Sequence, residues 1–529
     1  MRDNLVPDST FATSGSLKRL IRPTIIITLL TLAGQGVGFV TQMAIAASFG
    51  ARADMDAFLA ANTLPQYITA VFLTPLSVVF IPVFIDYMTT GREAEAWQVA
   101  SSVISLFMLV LGGIAAIGMF FASNLLRLTT PGLSPSSLQL ASLLAIINWP
   151  TIVVTGLASL LAGIYQAQGR FSWPAIATVL GALLNLSLVV FLARSFGVVG
   201  LAIAAATNIC LQSILLLPVL FRRAQYRFTL NLDHSGVRQV LSLIWPLILS
   251  NLLICGTPII DRYLASGLEE GTISHLGYAF KLYGVLAILI STGLTKVLFP
   301  RMAINIVKSG LLSMRHTVSQ GLRFMWLIIT PVICVGTVLA FPLVTILFQR
   351  GQFNNADTRA VAGLFQIYLL ALAGASLGNI TTGGLYVLKE TRIVAIIASL
   401  ETLGYILYTP LLTRLLGAPG VALSYVIYFS PGLVWSTMLI RYKTGKTGGR
   451  TVLVSFLRTG LAALLGGAAA WGMMRSTSNV WIQLVFGGVS GLLVYGAGLW
   501  ILKSSEIRQL WNTFRQMGKA KPPIHAVED

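Results

Sequence analysis

Apolar residues neither alternate along this chain nor fall into short blocks. They run for about twenty positions at a time, interrupted by short clusters rich in Arg, Lys, Gly and Ser. A helix needs about 20 such residues to cross ~30 Å of hydrocarbon. The pattern predicts fourteen membrane-spanning helices, at 23–48, 57–87, 97–122, 138–165, 171–193, 196–221, 239–264, 273–300, 319–347, 360–387, 392–413, 418–440, 451–473 and 480–502. The second and eighth are long and hold polar residues. The first follows Lys18, Arg19 and Arg22 and has the look of a secretion signal. Its length and the spans behind it predict a retained helix instead.

Composition narrows the class. Of 529 residues, 56% are apolar and 10% charged, where a soluble domain carries about 25% charged residues. A soluble enzyme, a disordered chain and a disulfide scaffold are excluded, and an all-α polytopic membrane protein is expected. Lys and Arg number 36 against 17 Asp and Glu, a net charge of +19. Fourteen spans put both termini on one side. With that side cytoplasmic, inside segments hold 26 basic residues and outside loops eight. Such a bias orients membrane proteins, so the charge implies no nucleic-acid partner. Cys210, Cys255 and Cys334 lie in apolar runs without metal-ligand spacing and read as small buried hydrophobes.

The second half echoes the first. At an offset of 218, Ala61, Leu64, Thr74, Leu76 and Pro82 meet Ala279, Leu282, Thr292, Leu294 and Pro300. At an offset of 220, the nine residues from Arg194 to Ala202 meet those from Arg414 to Ala422 with four identities. The offset spans six helices, an even number, so both copies enter from the same side and form parallel repeats. The expected organisation is a cytoplasmic segment 1–22, an N-lobe 23–221, a cytoplasmic linker 222–238 and a C-lobe 239–440. Two further helices at 451–502 and a cytoplasmic tail 503–529 follow. Two six-helix lobes around a cavity suit alternating access. The sequence holds no Walker A loop, HExxH, nucleophile elbow or CxxC, so a transporter without a catalytic motif is expected.

Several stretches then resemble one family. Ala47-Ser-Phe-Gly50, Asp56-Ala-Phe58, Leu64-Pro65 and Phe80-Ile-Pro82 are similar to the start of the MurJ/MviN family of lipid II flippases. That family belongs to the multidrug/oligosaccharidyl-lipid/polysaccharide exporter superfamily. Asp261-Arg-Tyr-Leu-Ala-Ser266, Tyr278-Ala279 and Pro300 resemble its seventh and eighth helices, and Leu347-Phe-Gln-Arg-Gly-Gln-Phe353 its ninth-to-tenth loop. The resemblance runs in order from about residue 20 to 440. It implies a bacterial inner-membrane flippase for a polyprenyl-diphosphate-linked sugar, with a cationic cavity between the lobes. It also implies a groove for the lipid tail at 451–502.

At the cavity the sequence departs from the family. Gln35, Thr41 and Gln42 stand where the first helix carries two arginines and an aspartate. Thr69 and Thr74 replace an arginine and a glutamate on the second helix, and Lys281 replaces the eighth-helix arginine. Arg grips a diphosphate through a planar fork, whereas Lys offers a point charge. These six residues are the expected substrate contacts, with Lys281 the one remaining cation. Glu401, near the middle of span eleven, and Asp261 are the expected ion-coupling pair, for Na+ or H+, with no cofactor. Asp56, opening span two, is expected to cap a helix N-terminus.

The resulting expectation is a flippase for an exopolysaccharide or other cell-envelope glycan precursor. Its partners would be the lipid-linked glycan, membrane lipids and glycan-assembly proteins. Lipid II transport for peptidoglycan synthesis is the alternative, and a cation-coupled small-molecule exporter a further one. A non-transporting scaffold is the third.

Overall fold

The computed structural model describes residues 14–221, 226–445, 448–504 and 506–508. Most of the expected tail, most of the N-terminal segment and residues 222–225 of the linker lie outside them. The described residues are 88% helical and contain no strand. The helices are α1 (Ser14–Phe49), α2 (Ala53–Thr89), α3 (Glu93–Phe120), α4 (Ala122–Thr129), α5 (Pro135–Asn148), α6 (Thr151–Ala167), α7 (Ser172–Leu216) and α8 (Pro218–Phe221). There follow α9 (Ser235–Ile254), α10 (Thr257–Ser266), α11 (Thr272–Phe348), α12 (Asn355–Val387), α13 (Thr391–Leu416), α14 (Ala418–Thr444), α15 (Gly449–Arg475) and α16 (Val480–Ile501).

Among the described residues, thirteen stretches are long and apolar enough to cross a membrane. Fourteen were expected, and one stretch accounts for the difference. Ser172–Phe221 has 50 residues, about 75 Å of helix at 1.5 Å per residue, more than twice the hydrocarbon thickness. It breaks at Gly197 (φ 56°, ψ −141°), the second residue of the sixth predicted span. The chain turns so tightly there that a Cβ on Gly200 would lie 2.6 Å from the Leu192 carbonyl oxygen. The eighth and ninth predicted spans likewise share α11, which breaks at Gly310 (φ 72°).

The repeat seen in the sequence is also a repeat of backbone geometry. Gly417 has φ 66° and ψ −138°, nearly the values of Gly197, its counterpart at offset 220. A Cβ on Gly420 would lie 2.1 Å from Leu412 O, as Gly200 faces Leu192. A second pair of turns matches bond for bond. Gly169 N donates to Gln166 O and Arg170 N to Tyr165 O, while Lys389 N donates to Tyr386 O and Glu390 N to Leu385 O. Both are left-handed helix endings, with φ 73° at Gly169 and 62° at Lys389.

The chain divides into two compact units. One comprises residues up to Phe49 with Ala57–Ile259; the other comprises Gly50–Asp56 with Ile260 onward. The boundary differs from the lobe boundary read from the sequence, because α9, the seventh predicted span, packs in the first unit. Tyr87 Oη bonds Ser235 Oγ at 3.0 Å, Tyr67 Oη donates to Leu252 O at 2.7 Å, and Gly236 packs tightly against Tyr87 and Val99. The described part of the linker lies along α3, where Arg227 N and Asn231 N donate to Ser101 Oγ and Ser102 Oγ.

In the second unit, Leu298, Met302, Met314, Val318, Met325, Leu377, Ile380 and Ile440 form a core where α11, α12 and α14 meet. The α15–α16 hairpin closes through small residues, which let helix backbones approach. A Cβ on Gly466 would lie 2.6 Å from Gly491 O, and Gly467 faces the Cys334 carbonyl. Tyr495 Oη then donates to Leu327 O at 2.6 Å. The outward faces of both helices are apolar and exposed, with Leu453, Leu457, Leu461, Leu464, Val489 and Leu493 among them.

Candidate functional site

Lys281 owes its position to a firmly held helix start. Gly271 precedes α11 with a left-handed φ of 88° and brings no capping side chain of its own. Asp56, 4% exposed, supplies the cap. Its Oδ2 accepts from Gly271 N at 2.7 Å and its Oδ1 from Ser274 N at 2.8 Å and from Ser274 Oγ. Asp56 thus caps a helix, as expected of it, but α11 rather than its own α2. An anion there also meets the positive end of the helix dipole. One turn on, His275 Nε2 bonds Asp357 Oδ1 at 3.0 Å and Tyr278 Oη donates to Gly50 O at 3.0 Å.

Lys281 follows as the tenth residue of α11, about 14 Å along it. Its neighbours Leu282 and Tyr283 are buried, while Lys281 itself is exposed. Among the described residues its ammonium has no hydrogen-bond or ion-pair partner. A lone charge at membrane depth is costly unless it meets water or an anion.

Behind Lys281 lies an aromatic cluster within the second unit. Phe280 and Tyr283 of α11, Tyr368 of α12, Tyr405 of α13 and Tyr425 of α14 pack largely edge to face, with ring centroids 5.0–6.4 Å apart. Asp261 reaches this cluster and accepts from the hydroxyl of Tyr405, which is wholly buried. Arg262, next to it in sequence, donates to Ile273 O at 2.8 Å. Tyrosine rings flank this carboxylate, and one hydroxyl already donates to it. The described residues contain no group of three His, Cys, Asp or Glu side chains placed to hold a metal.

Glu401 has a different partner. Its Oε1 accepts from Gly432 N at 2.8 Å. Gly432 follows Pro431 within α14, where the missing proline N–H loosens the local ladder. A Cβ on Gly432 would sit 2.0 Å from Glu401 Oε1, so the carboxylate approaches only because that residue is glycine. The polar string continues: Ser436 Oγ bonds Gly432 O at 2.5 Å and Thr381 Oγ1 at 2.6 Å. Asp261 and Glu401 therefore make separate hydrogen bonds and share no acceptor or donor.

The other expected contacts lie in the first unit. Gln35 and Thr74 are exposed, and Gln42 and Thr69 are half-buried. Thr41 is buried, and its hydroxyl donates to Val37 O at 2.9 Å; Thr69 does the same to Pro65 O at 2.8 Å. Those two hydroxyls keep acceptor lone pairs but have committed their hydrogens. Of Gly34, Gly36 and Gly38 in α1, only Gly34 packs against a neighbour, Val179 and Thr178 of α7.

Sequence reasoning missed Tyr405 and Gly432, the partners of the two acids. One signal was present. Tyr405 lies one helical turn beyond Glu401, hence on the same face.

The comparisons agree with one another. The family model for the lipid II flippase MurJ matches residues 45–488. A protein of Buchnera aphidicola subsp. Acyrthosiphon pisum, named probable lipid II flippase MurJ, is 27% identical over 414 residues, 77% of this chain and 80% of its own length. The lipid II flippase MurJ of Burkholderia cenocepacia is 26% identical over 419 residues, again 77% and 80%. A solved lipid II flippase MurJ in an inward closed conformation superposes with a TM-score of 0.79, covering 92% of this chain and 99% of that one. At 20% identity that likeness is one of fold. An inward-facing multidrug resistance MATE transporter gives 0.67 at 17% identity, covering 79% and 99%.

Proposed function

The chain belongs to the MurJ family of lipid II flippases, and from that premise we propose that it carries lipid II across the bacterial inner membrane for peptidoglycan synthesis. This reading reverses the order of the sequence expectation, which put a polysaccharide precursor first. The observation that carries it is Lys281: an exposed ammonium, without a partner among the described residues, inside a membrane helix whose start is pinned by Asp56. An anionic diphosphate is the partner such a charge lacks. Lys281 supplies the charge. Gln35, Gln42 and Thr74 supply neutral hydrogen bonds, and Thr41 and Thr69 retain only acceptor capacity.

The two repeats provide the moving bodies of an alternating-access cycle, and the exposed faces of α16 and of α15 from Leu461 onward provide apolar surface for the polyprenyl tail. For coupling, the hydrogen-bonded settings of Asp261 and Glu401 favour a proton over Na+. Both termini are assigned to the cytoplasm on the distribution of Lys and Arg. Protein partners would come from cell-wall assembly.

The polysaccharide reading keeps one specific support, the uncharged set Gln35, Thr41, Gln42, Thr69 and Thr74. Complementation separates the two. The gene is expressed in a bacterium depleted of its own lipid II flippase, with membrane insertion verified by immunoblot. Growth that is lost on Lys281→Gln is the expected result. No growth from an inserted protein, together with loss of a surface glycan on deletion of the native gene, would move the assignment to a polysaccharide carrier.

A further inference from the structure

A cavity of about 260 Å³ opens at the start of α15, lined by Arg450, Thr451, Val454, Ser455, Arg458 and Glu506. The α15 residues fall on one face over two turns of helix. The charge balance in this cavity is uneven. Glu506 is 1% exposed and fully engaged: Arg323 Nη1 lies 3.1 Å from its Oε1, Ser455 Oγ donates to the same oxygen at 3.0 Å, and Ser504 Oγ donates to Oε2 at 2.7 Å. Its negative charge is balanced within the wall. Arg458 donates only to a neutral carbonyl, Lys503 O, at 3.5 Å, and Arg450 has no hydrogen-bond or ion-pair partner among the described residues. Among the described residues, two guanidinium charges thus remain uncompensated around one small cavity.

The surroundings say what kind of anion fits. Leu453, Val454 and Leu457 are 59%, 37% and 58% exposed and begin the apolar outer face of α15 beside the cavity. A ligand there has its charged end among arginines and apolar chains against leucines. We propose that this cavity binds the phosphate of an anionic phospholipid, with Arg450 and Arg458 as the clamp and Thr451 as a hydroxyl donor. The planar fork of Arg suits phosphate oxygens, and basic pockets between membrane helices are suited to anionic headgroups. Arg323 and Glu506 form the fixed floor. Nothing in this assignment depends on the transported substrate.

The test is native mass spectrometry on the full-length protein in detergent, titrated with phosphatidylglycerol and with phosphatidylcholine of the same acyl chains. The wild type binds phosphatidylglycerol at least about tenfold more tightly, a difference of ~1.4 kcal/mol. Arg450→Gln/Arg458→Gln reduces that preference to less than about twofold. Arg475→Gln, at the opposite end of α15, keeps it. A double variant with wild-type melting temperature and undiminished preference overturns the proposal. So does displacement of the lipid by inorganic phosphate at equal concentration, which would make this a free-phosphate site.

Discussion

The two repeats share a backbone and differ in chemistry. At offset 220, Gly181 corresponds to Glu401 and Gln212 to Gly432. In the first repeat Gly181 is the small member: a Cβ there would lie 2.3 Å from Asn208 Oδ1 and 2.8 Å from Gln212 Cγ. In the second, Gly432 is the small member and Glu401 the large one. The same helix contact is closed by one glycine in both, carried on opposite partners. The first contact is lined by neutral amides, with Gln212 Nε2 donating to Asn208 Oδ1 at 2.7 Å; the second holds a carboxylate. At offset 218, Lys281 corresponds to Thr63, which donates to its own helix at Leu59 O, and Asp261 corresponds to Met43. Glycine turns and helix contacts have kept both halves alike, while the ionisable groups have collected in the second.

The largest expected effect tests the shared turns. Gly200→Ala and Gly420→Ala each push a methyl group into a backbone carbonyl that has no rotamer to escape through. Each should cost about 3 kcal/mol, read as a lowered melting temperature in detergent, and by similar amounts in the two repeats. A loss in only one repeat would mean that the matching dihedrals are coincidental.

The exchanged glycine comes next. Gly432→Gln sets a side chain against Glu401 and should cost about 2 kcal/mol. Adding Glu401→Gly installs the pair found in the first repeat and should restore most of that stability. If the double variant is no more stable than the single one, the packing correspondence is broken. Transport by the stable double variant then reports on the Glu401 carboxylate itself.

The smallest effect concerns the turn where the repeats differ only in residue type. Lys389 holds a left-handed φ of 62° where the first repeat has Gly169. Lys389→Gly should stabilise by about 1 kcal/mol, and thermal unfolding resolves the sign.

How far the sequence could be read follows from the same physics. Spans declare themselves because each needs about twenty apolar residues, and for that reason the break at Gly197 falls within two residues of where the sixth span was predicted to begin. The repeat was visible because turn residues such as the Arg194–Ala202 and Arg414–Ala422 stretches are constrained by backbone geometry. Lys281 stood out because charge is rare in a span. The packing of α9 in the first unit was hidden, since it rests on contacts such as Tyr67 with Leu252, which no periodicity encodes. The partners of the acids were hidden too. Glu401 bonds a backbone N–H and Asp261 a tyrosine hydroxyl four spans away in sequence, and Asp56 caps a helix that begins more than 200 residues later.

The most direct measurement is translocation of fluorescent lipid II in proteoliposomes containing the purified protein. The account predicts transport by the wild type and a rate at least about tenfold lower for Lys281→Gln, since a charge-assisted contact contributes about 1.5–3 kcal/mol. Equal rates for the two proteins, or no lipid II transport by a correctly inserted wild type, would contradict it.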